Sequence, residues 1–271
     1  MKKIALLILL IIPNLIFAAD LKSTALGTLQ KVQKAIVTVK VQANIKTRGD
    51  EEELNVEVTG TMIDPSGLTV VSEQSINPAA MLASFMSAYS KKEMSELKLE
   101  SHISECSIVL DDGTEVPADV VLKDEDLDLA FIKPKEASDK FVYVPMKVRE
   151  KPPQLLDDFF VIGRLGRSEN RAIHLNTGMI LSIVKGPRTI YVCDQEVSGN
   201  SLGSPAFDSD GSAIGVFVAR KNQGIEEDNG MNAFMGMMTG KIGQSGSVWI
   251  LRPVDDVLEI AKQALNPEEK D

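Results

Sequence analysis

The sequence predicts an all-β protein of two successive units, with a helical insertion in the first unit and a helix near the C-terminal end. Several short segments alternate apolar and polar residues at a period of two, which is typical of half-buried strands. Glycine and aspartate turns separate these segments, as in β-barrels or sandwiches. A stretch rich in lysine, glutamate and proline, residues 134–156, divides them into two runs and indicates a linker.

The first residues have the features of a secretory signal. Two lysines precede an apolar run over residues 4–19, which Pro13 interrupts. This run is shorter than the about 20 apolar residues that a membrane-spanning helix needs. We expect cleavage after Ala18, so that residues 1–18 are a signal peptide and the mature protein is periplasmic or secreted. The alternative is an uncleaved membrane anchor.

The first unit is expected to cover residues 19–133. After a stretch of mixed helical character, residues 36–43 alternate between apolar side chains and threonine, lysine or glutamine. Residues 54–62 alternate in the same way beyond a polar turn at 47–53, so the two segments predict a hairpin. The other strands predicted in this unit are residues 68–71, 108–110, 116–122 and 127–132.

A helical insertion is predicted at about residues 77–95. This segment is rich in alanine, methionine and leucine, which favour helices. Asn77 is a suitable N-cap, and Pro78 suits the first helical position. Methionines are concentrated beside this insertion and in a glycine-rich segment of the second unit: Met81, Met86, Met94, Met231, Met235, Met237 and Met238. Such groups adapt to varied apolar partners, but we prefer the simpler interpretation that they pack on one another or on the core.

The second unit is expected to cover residues 157–252, with a helix and tail at 253–271. Its predicted strands are residues 159–163, 178–184, 190–193, 213–218 and 247–251. In the helix, residues 253–265, the apolar residues share one face and two aspartates occupy the first turn. Asn266 and Pro267 end it.

Composition narrows the classes of partner. The formal net charge of −10 argues against nucleic acid, because phosphate backbones attract clustered positive charge. No spacing of metal ligands and no phosphate-binding loop is found, so we expect no metal and no cofactor. After the signal, no segment is apolar enough for a stable membrane span. Cys106 and Cys193 fall in different units, and they either pair or remain thiols.

Three stretches in the correct order resemble the trypsin-like serine peptidases, specifically the HtrA/Deg branch: residues 60–71, residues 111–113 with 128–133, and residues 194–216. Further segments are also similar to the second barrel and closing helix of that family: residues 158–163, 177–182 and 249–265. The resemblance covers nearly all of the mature chain and implies a trypsin/chymotrypsin-like fold of two six-stranded barrels. We expect no PDZ module after the helix.

The resemblance also assigns positions in the catalytic triad. A serine peptidase needs a hydroxyl nucleophile, an imidazole base and a carboxylate that orients the imidazole. Asp128 matches the aspartate of the family, whereas counting from Gly67 places Gln74 where the histidine belongs. A glutamine amide can hydrogen bond to Asp128 but cannot accept a proton near neutral pH. The two histidines, His102 and His174, do not fall at this position, and we expect both to be surface or packing residues.

The loop that corresponds to the nucleophile loop allows two alignments. Counting from both flanks without a gap places Leu202 at the serine position. The other alignment treats Leu202 as an extra residue and leaves Ser201 as the nucleophile, still without a base. We prefer the first because both flanks agree. Backbone N–H groups around Asn200 and Gly203 are expected to face a pocket, where they would bind a carbonyl or carboxylate.

The resemblance and the missing base together imply a pseudoprotease, a catalytically silent peptidase homologue that binds a peptide or protein partner. One alternative is an active serine endopeptidase that uses Ser201 with a non-standard base. Another is a regulatory or structural subunit that assembles with an active protease, and an oligomer is compatible with either role.

Overall fold

The computed structural model describes residues 20–47, 50–79, 100–136, 138, 140–193, 201–221 and 247–266. The expected signal peptide, most of the expected insertion, Asn200 and both groups of methionines lie outside these ranges. The described chain forms two closed antiparallel β-barrels of six strands each, with one α-helix before the first barrel and another after the second. The two-barrel fold that the resemblance implies is therefore confirmed.

The first barrel has the strand order β1-β2-β3-β6-β5-β4. Its strands are β1 (Ile36–Thr47), β2 (Asp50–Met62), β3 (Thr69–Ser72), β4 (Glu100–Val109), β5 (Glu115–Asp124) and β6 (Leu129–Pro134). Alternate residues of β1, including Val39 and Val41, are buried, because the period of two sends them into the barrel. The intervening Lys40 and Gln42 are partly exposed.

The second barrel has the strand order β10-β11-β12-β9-β8-β7. Its strands are β7 (Asp158–Arg164), β8 (Ile173–Val184), β9 (Ile190–Cys193), β10 (Pro205–Asp208), β11 (Ala213–Lys221) and β12 (Ser247–Pro253). Both faces of β7 are buried. Phe159 and Val161 belong to an apolar cluster of the second barrel, whereas Phe160 and Ile162 belong to the larger cluster shared with the first. One continuous core therefore joins the barrels.

The two helices pack on this core. In α1 (Leu21–Val32) the Asp20 side chain caps the N-terminus by accepting from the backbone N–H of Lys22, and the helix contacts β7. In α2 (Val254–Leu265) the face with Val257 and Ile260 is buried, and the helix contacts β5 and β6 of the first barrel as well as β11 and β12 of the second. The terminal helix therefore connects both barrels.

Some strand boundaries differ from those predicted. β4 begins at residue 100 rather than 108, because its first half is too polar to show apolar alternation. The predicted polar turn at 47–53 is mostly the start of β2, and β8 begins at residue 173 rather than 178. β10 was not predicted, because its residues are buried on both faces and do not alternate.

Residues 135–157 connect β6 with β7, and their first part contacts the first barrel. The N–H groups of Phe141 and Val144 donate to the carbonyls of Pro65 (3.2 Å) and Met62 (2.8 Å). Cys106 on β4 and Cys193 on β9 are thiols and are not joined by a disulfide. None of the helices in the described ranges has the length and apolar character needed to cross a membrane.

Candidate functional site

The residues at the predicted triad positions lie where the two barrels meet. Asp128 occupies the turn before β6, and Gln74 begins a short 3₁₀ turn after β3. The backbone of Asp128 is in the left-handed region, with a φ of 56°, which aspartate tolerates better than most residues. The turn is fixed by the N–H of Leu127, which donates to the side chain of Asp124 at 2.9 Å.

The Asp128 carboxylate is buried and accepts three short hydrogen bonds. The Ser72 hydroxyl and the backbone N–H of Ala219 both donate to Oδ2, each at 2.6 Å, and the backbone N–H of Gln74 donates to Oδ1 at 2.7 Å. The carbonyl of Asp128 also accepts from the N–H of Glu73 at 3.2 Å. Since Ala219 lies on β11 of the second barrel, Asp128 connects the two barrels.

Burial dominates the electrostatics of this carboxyl group. It raises the pKa of Asp128 to about 6 from the ordinary value of 3.8, although the three hydrogen bonds act in the opposite direction. At physiological pH a larger fraction of the Asp128 carboxyl group is therefore protonated and uncharged than in an exposed aspartate.

Gln74 reaches Asp128 through its backbone rather than through the side-chain amide that the sequence suggested. Its side chain is half-buried. No histidine is among the described hydrogen-bond partners of Asp128. His102 is exposed on β4, and His174 lies on β8 of the second barrel. Within the described residues, no group of three or more histidine, cysteine or acidic side chains is placed to hold a metal ion.

Ser201 and Leu202 differ in accessibility. Ser201 is only 1% exposed, and its Oγ lies 3.5 Å from Nε2 of His174. Burial lowers the pKa of His174, and no described group hydrogen bonds to its buried Nδ1. Within the described ranges, no carboxylate orients the His174 ring, as the aspartate of a catalytic triad would.

Leu202 is half-buried and lines a cleft of about 80 Å³ between the barrels. The cleft is also lined by Ser75, next to Gln74, and by Thr59 and Leu165. Leu202, and not Ser201, therefore faces the same cleft as Ser75 in the segment after β3.

The loop around Leu202 is fixed to both barrels. The N–H of Gly203 donates to the carbonyl of Phe217 at 2.8 Å, and the carbonyl of Gly203 accepts from the Thr61 hydroxyl of the first barrel at 2.7 Å. Gly203 has a φ of 80°, and a Cβ at this position would lie 2.2 Å from the Thr59 carbonyl oxygen. Only glycine fits here without a shift of the backbone.

Comparison with known families identifies the fold. A family model described as a trypsin-like peptidase domain matches residues 59–216, which include the Asp128 turn and the Leu202 loop. This chain belongs to the family of trypsin-like peptidase domains. Comparison with curated proteins gave no match.

Two arginines of the second barrel further fix the relative position of the barrels in this trypsin-like domain. Arg164 donates to the carbonyl of Ile36 and to the carboxylate of Asp111, the latter at 2.6 Å. Arg171 forms a bidentate pair with Glu57 on β2, at 2.9 and 2.7 Å, and this pair lowers the pKa of Glu57. The cleft at Leu202 therefore has well-fixed walls.

Sequence reasoning missed two participants in this site: Ser72 and Ala219. Ser72 ends β3 only two residues before Gln74, and this closeness along the chain is the signal that could have identified it. The N–H of Ala219 and the approach of His174 to Ser201 depend on the packing of distant segments, for which no local signal exists.

Proposed function

We propose that this trypsin-like domain is a pseudoprotease of the HtrA/Deg branch that is exported through its N-terminal signal and binds a peptide or protein without cutting it. The observation that carries the proposal is the set of partners of Asp128. A hydroxyl and two backbone N–H groups satisfy its carboxylate, and the position of the base holds Gln74. A glutamine amide has no proton affinity near neutral pH, so the proton of a nucleophile has no acceptor.

The loop geometry supports the assignment of Leu202 to the nucleophile position. Leu202 faces the cleft next to Ser75, whereas Ser201 is turned away from solvent toward His174. A leucine side chain offers no hydroxyl, and a buried serine cannot reach a peptide carbonyl. Both losses act on the same chemical step, since base and nucleophile are required together.

Binding without cleavage is compatible with the shape of the cleft. Its volume of about 80 Å³ is far below the about 300–1,000 Å³ of sites for small organic ligands. It accommodates at most one small side chain, so the remainder of a ligand must lie along the protein surface. This favours a peptide or protein over a metabolite.

The central experiment combines an activity probe with a binding assay. We expect the purified mature protein to resist labelling by a fluorophosphonate and to leave fluorescein-labelled casein intact while binding it. Leu202→Arg should weaken this binding, because a long charged side chain fills the cleft. Leu181→Arg is the matched control, because Leu181 is 46% exposed on β8 of the second barrel.

An active endopeptidase remains the second candidate, because Nε2 of His174 lies near the Ser201 hydroxyl. If that pair were catalytic, the fluorophosphonate would label Ser201, and Ser201→Ala and His174→Ala would each abolish labelling. Ser212→Ala, at an exposed serine, is the control. Labelling with this pattern would replace the pseudoprotease proposal.

The third candidate is a regulatory subunit of an active protease assembly. Its binding partners, rather than its chemistry, distinguish it from the first candidate. The mass of the protein in solution and the presence of a co-purifying peptidase distinguish a free peptide binder from such a subunit.

A further inference from the structure

The first barrel has an opening where β4 and β5 separate. The two strands pair only beside their connecting turn, from Val109 opposite Glu115 to Ser107 opposite Pro117. Pro117 has no N–H to donate, and its carbonyl accepts from the N–H of Lys135 at 2.9 Å on the opposite side. The pairing of β4 with β5 ends at this residue.

Beyond the proline, both strands continue with one edge paired. Residues 100–106 of β4 follow β1, and residues 118–124 of β5 follow β6. Within the described residues, no strand pairs with the two edges that face each other across the opening. Alternate backbone N–H and C=O groups along such edges are available to an extended chain.

Apolar side chains form the floor between these edges. The apolar part of the lining includes the buried Val41 and the half-buried Ile103, Cys106, Val120 and Leu122. The groove has a volume of about 1560 Å³, which exceeds the about 300–1,000 Å³ typical of small-molecule sites. Its size and its elongated walls suit a length of polypeptide.

The charges at the rim limit the kind of polypeptide. Lys40 pairs with Glu115 at 2.7 Å, and Lys135 pairs with Asp119 at 3.4 Å. Since these charges compensate one another locally, the rim presents no strong field of one sign. An uncharged segment that alternates apolar and polar residues is the matching partner, with its apolar side chains directed to the floor.

We propose that this groove binds an extended, alternating apolar–polar segment of another protein, which adds a strand between β4 and β5. Backbone hydrogen bonds to the two edges provide affinity, and the apolar floor selects every second side chain. The groove adjoins the cleft at Leu202 through Glu57, which lines both, but Leu202 and the predicted triad positions do not line the groove.

The test uses a synthetic fluorescent peptide of alternating valine and threonine with a lysine at each end. We expect fluorescence anisotropy to show binding to the full mature protein. The same peptide N-methylated at alternate residues should bind about tenfold or more weakly, because it lacks the N–H groups that pair with the strand edges. This comparison needs no variant of the protein and so cannot be confused with misfolding.

Two variants locate the site. Ile103→Lys places a charge on the floor and should weaken binding, whereas Leu181→Lys on the second barrel should not; thermal melting verifies that both remain folded. Leu202→Arg should leave the affinity for this peptide unchanged, so the groove and the cleft are tested independently. Absence of binding, equal affinity of the methylated peptide, or an unaffected Ile103→Lys variant would overturn the proposal.

Discussion

Replacing Asp128 by alanine tests whether this carboxylate holds the barrels together. The substitution removes the acceptor for Ser72 and Ala219, whose exposed fractions are 0% and 6%, and for the N–H of Gln74. Water can replace the lost partner only at the half-buried Gln74. The hydroxyl of Ser72 and the N–H of Ala219 would remain buried and unsatisfied.

The expected loss follows from these two donors. Each buried unsatisfied polar group costs about 1–3 kcal/mol, so Asp128→Ala should lower the free energy of unfolding by about 2–6 kcal/mol. Asp128→Asn is the matched control, because asparagine has the same shape, tolerates the positive φ and keeps one acceptor oxygen. We expect it to cost clearly less than Asp128→Ala, because it keeps an acceptor and, being uncharged, avoids the desolvation that raises the pKa of Asp128.

Urea unfolding at neutral pH measures both variants, with the free energy taken from the midpoint at constant slope. In an active triad the aspartate orients a histidine, and its loss would appear mainly in turnover. A loss in Asp128→Ala below about 1 kcal/mol, or equal losses in the two variants, would refute the structural role of this carboxylate.

Three further predictions concern the same junction. The folded state raises the pKa of Asp128 to about 6 from 3.8. Protonation of Asp128 should therefore add about 3 kcal/mol to the free energy of unfolding, fully present below about pH 4 and lost as the pH rises through about 6. The urea midpoint of Asp128→Asn should not show this dependence on pH. Gly203→Ala should cost at least about 2 kcal/mol in the same assay, because its φ is 80° and the new Cβ meets the Thr59 carbonyl. Glu57→Gln should cost about 1 kcal/mol at low salt and less at high salt, because its pair with Arg171 is partly exposed.

Local alternation was sufficient to predict most strands, and the order of three motifs was sufficient to predict two barrels. The first half of β4 escaped prediction because its polar residues belong to a strand that pairs on one side only. β10 escaped for the opposite reason, since burial on both faces removes the alternation. In both cases the apolar–polar alternation is missing because it marks only strands with one buried and one exposed face.

The candidate site was predictable only in part for a related reason. Motif spacing pointed to Gln74 and Asp128, but the donors that satisfy Asp128 come from positions 56 and 91 residues away along the chain. Spacing also left the alignment of Ser201 and Leu202 open, because a shift of one residue preserves the flanking motif. Burial, which the sequence does not give, distinguishes the two: Ser201 is covered and Leu202 faces the cleft.

An aspartate at the triad position is therefore weak evidence for catalysis in this fold. A buried carboxylate that accepts hydrogen bonds from both barrels is costly to remove even when no imidazole depends on it. The positions that we propose for the base and the nucleophile have no such structural duty, because Gln74 still supplies the backbone N–H and Leu202 still permits the turn at Gly203. In a trypsin-like domain the residues at the base and nucleophile positions are therefore better indicators of hydrolysis than the aspartate between the barrels.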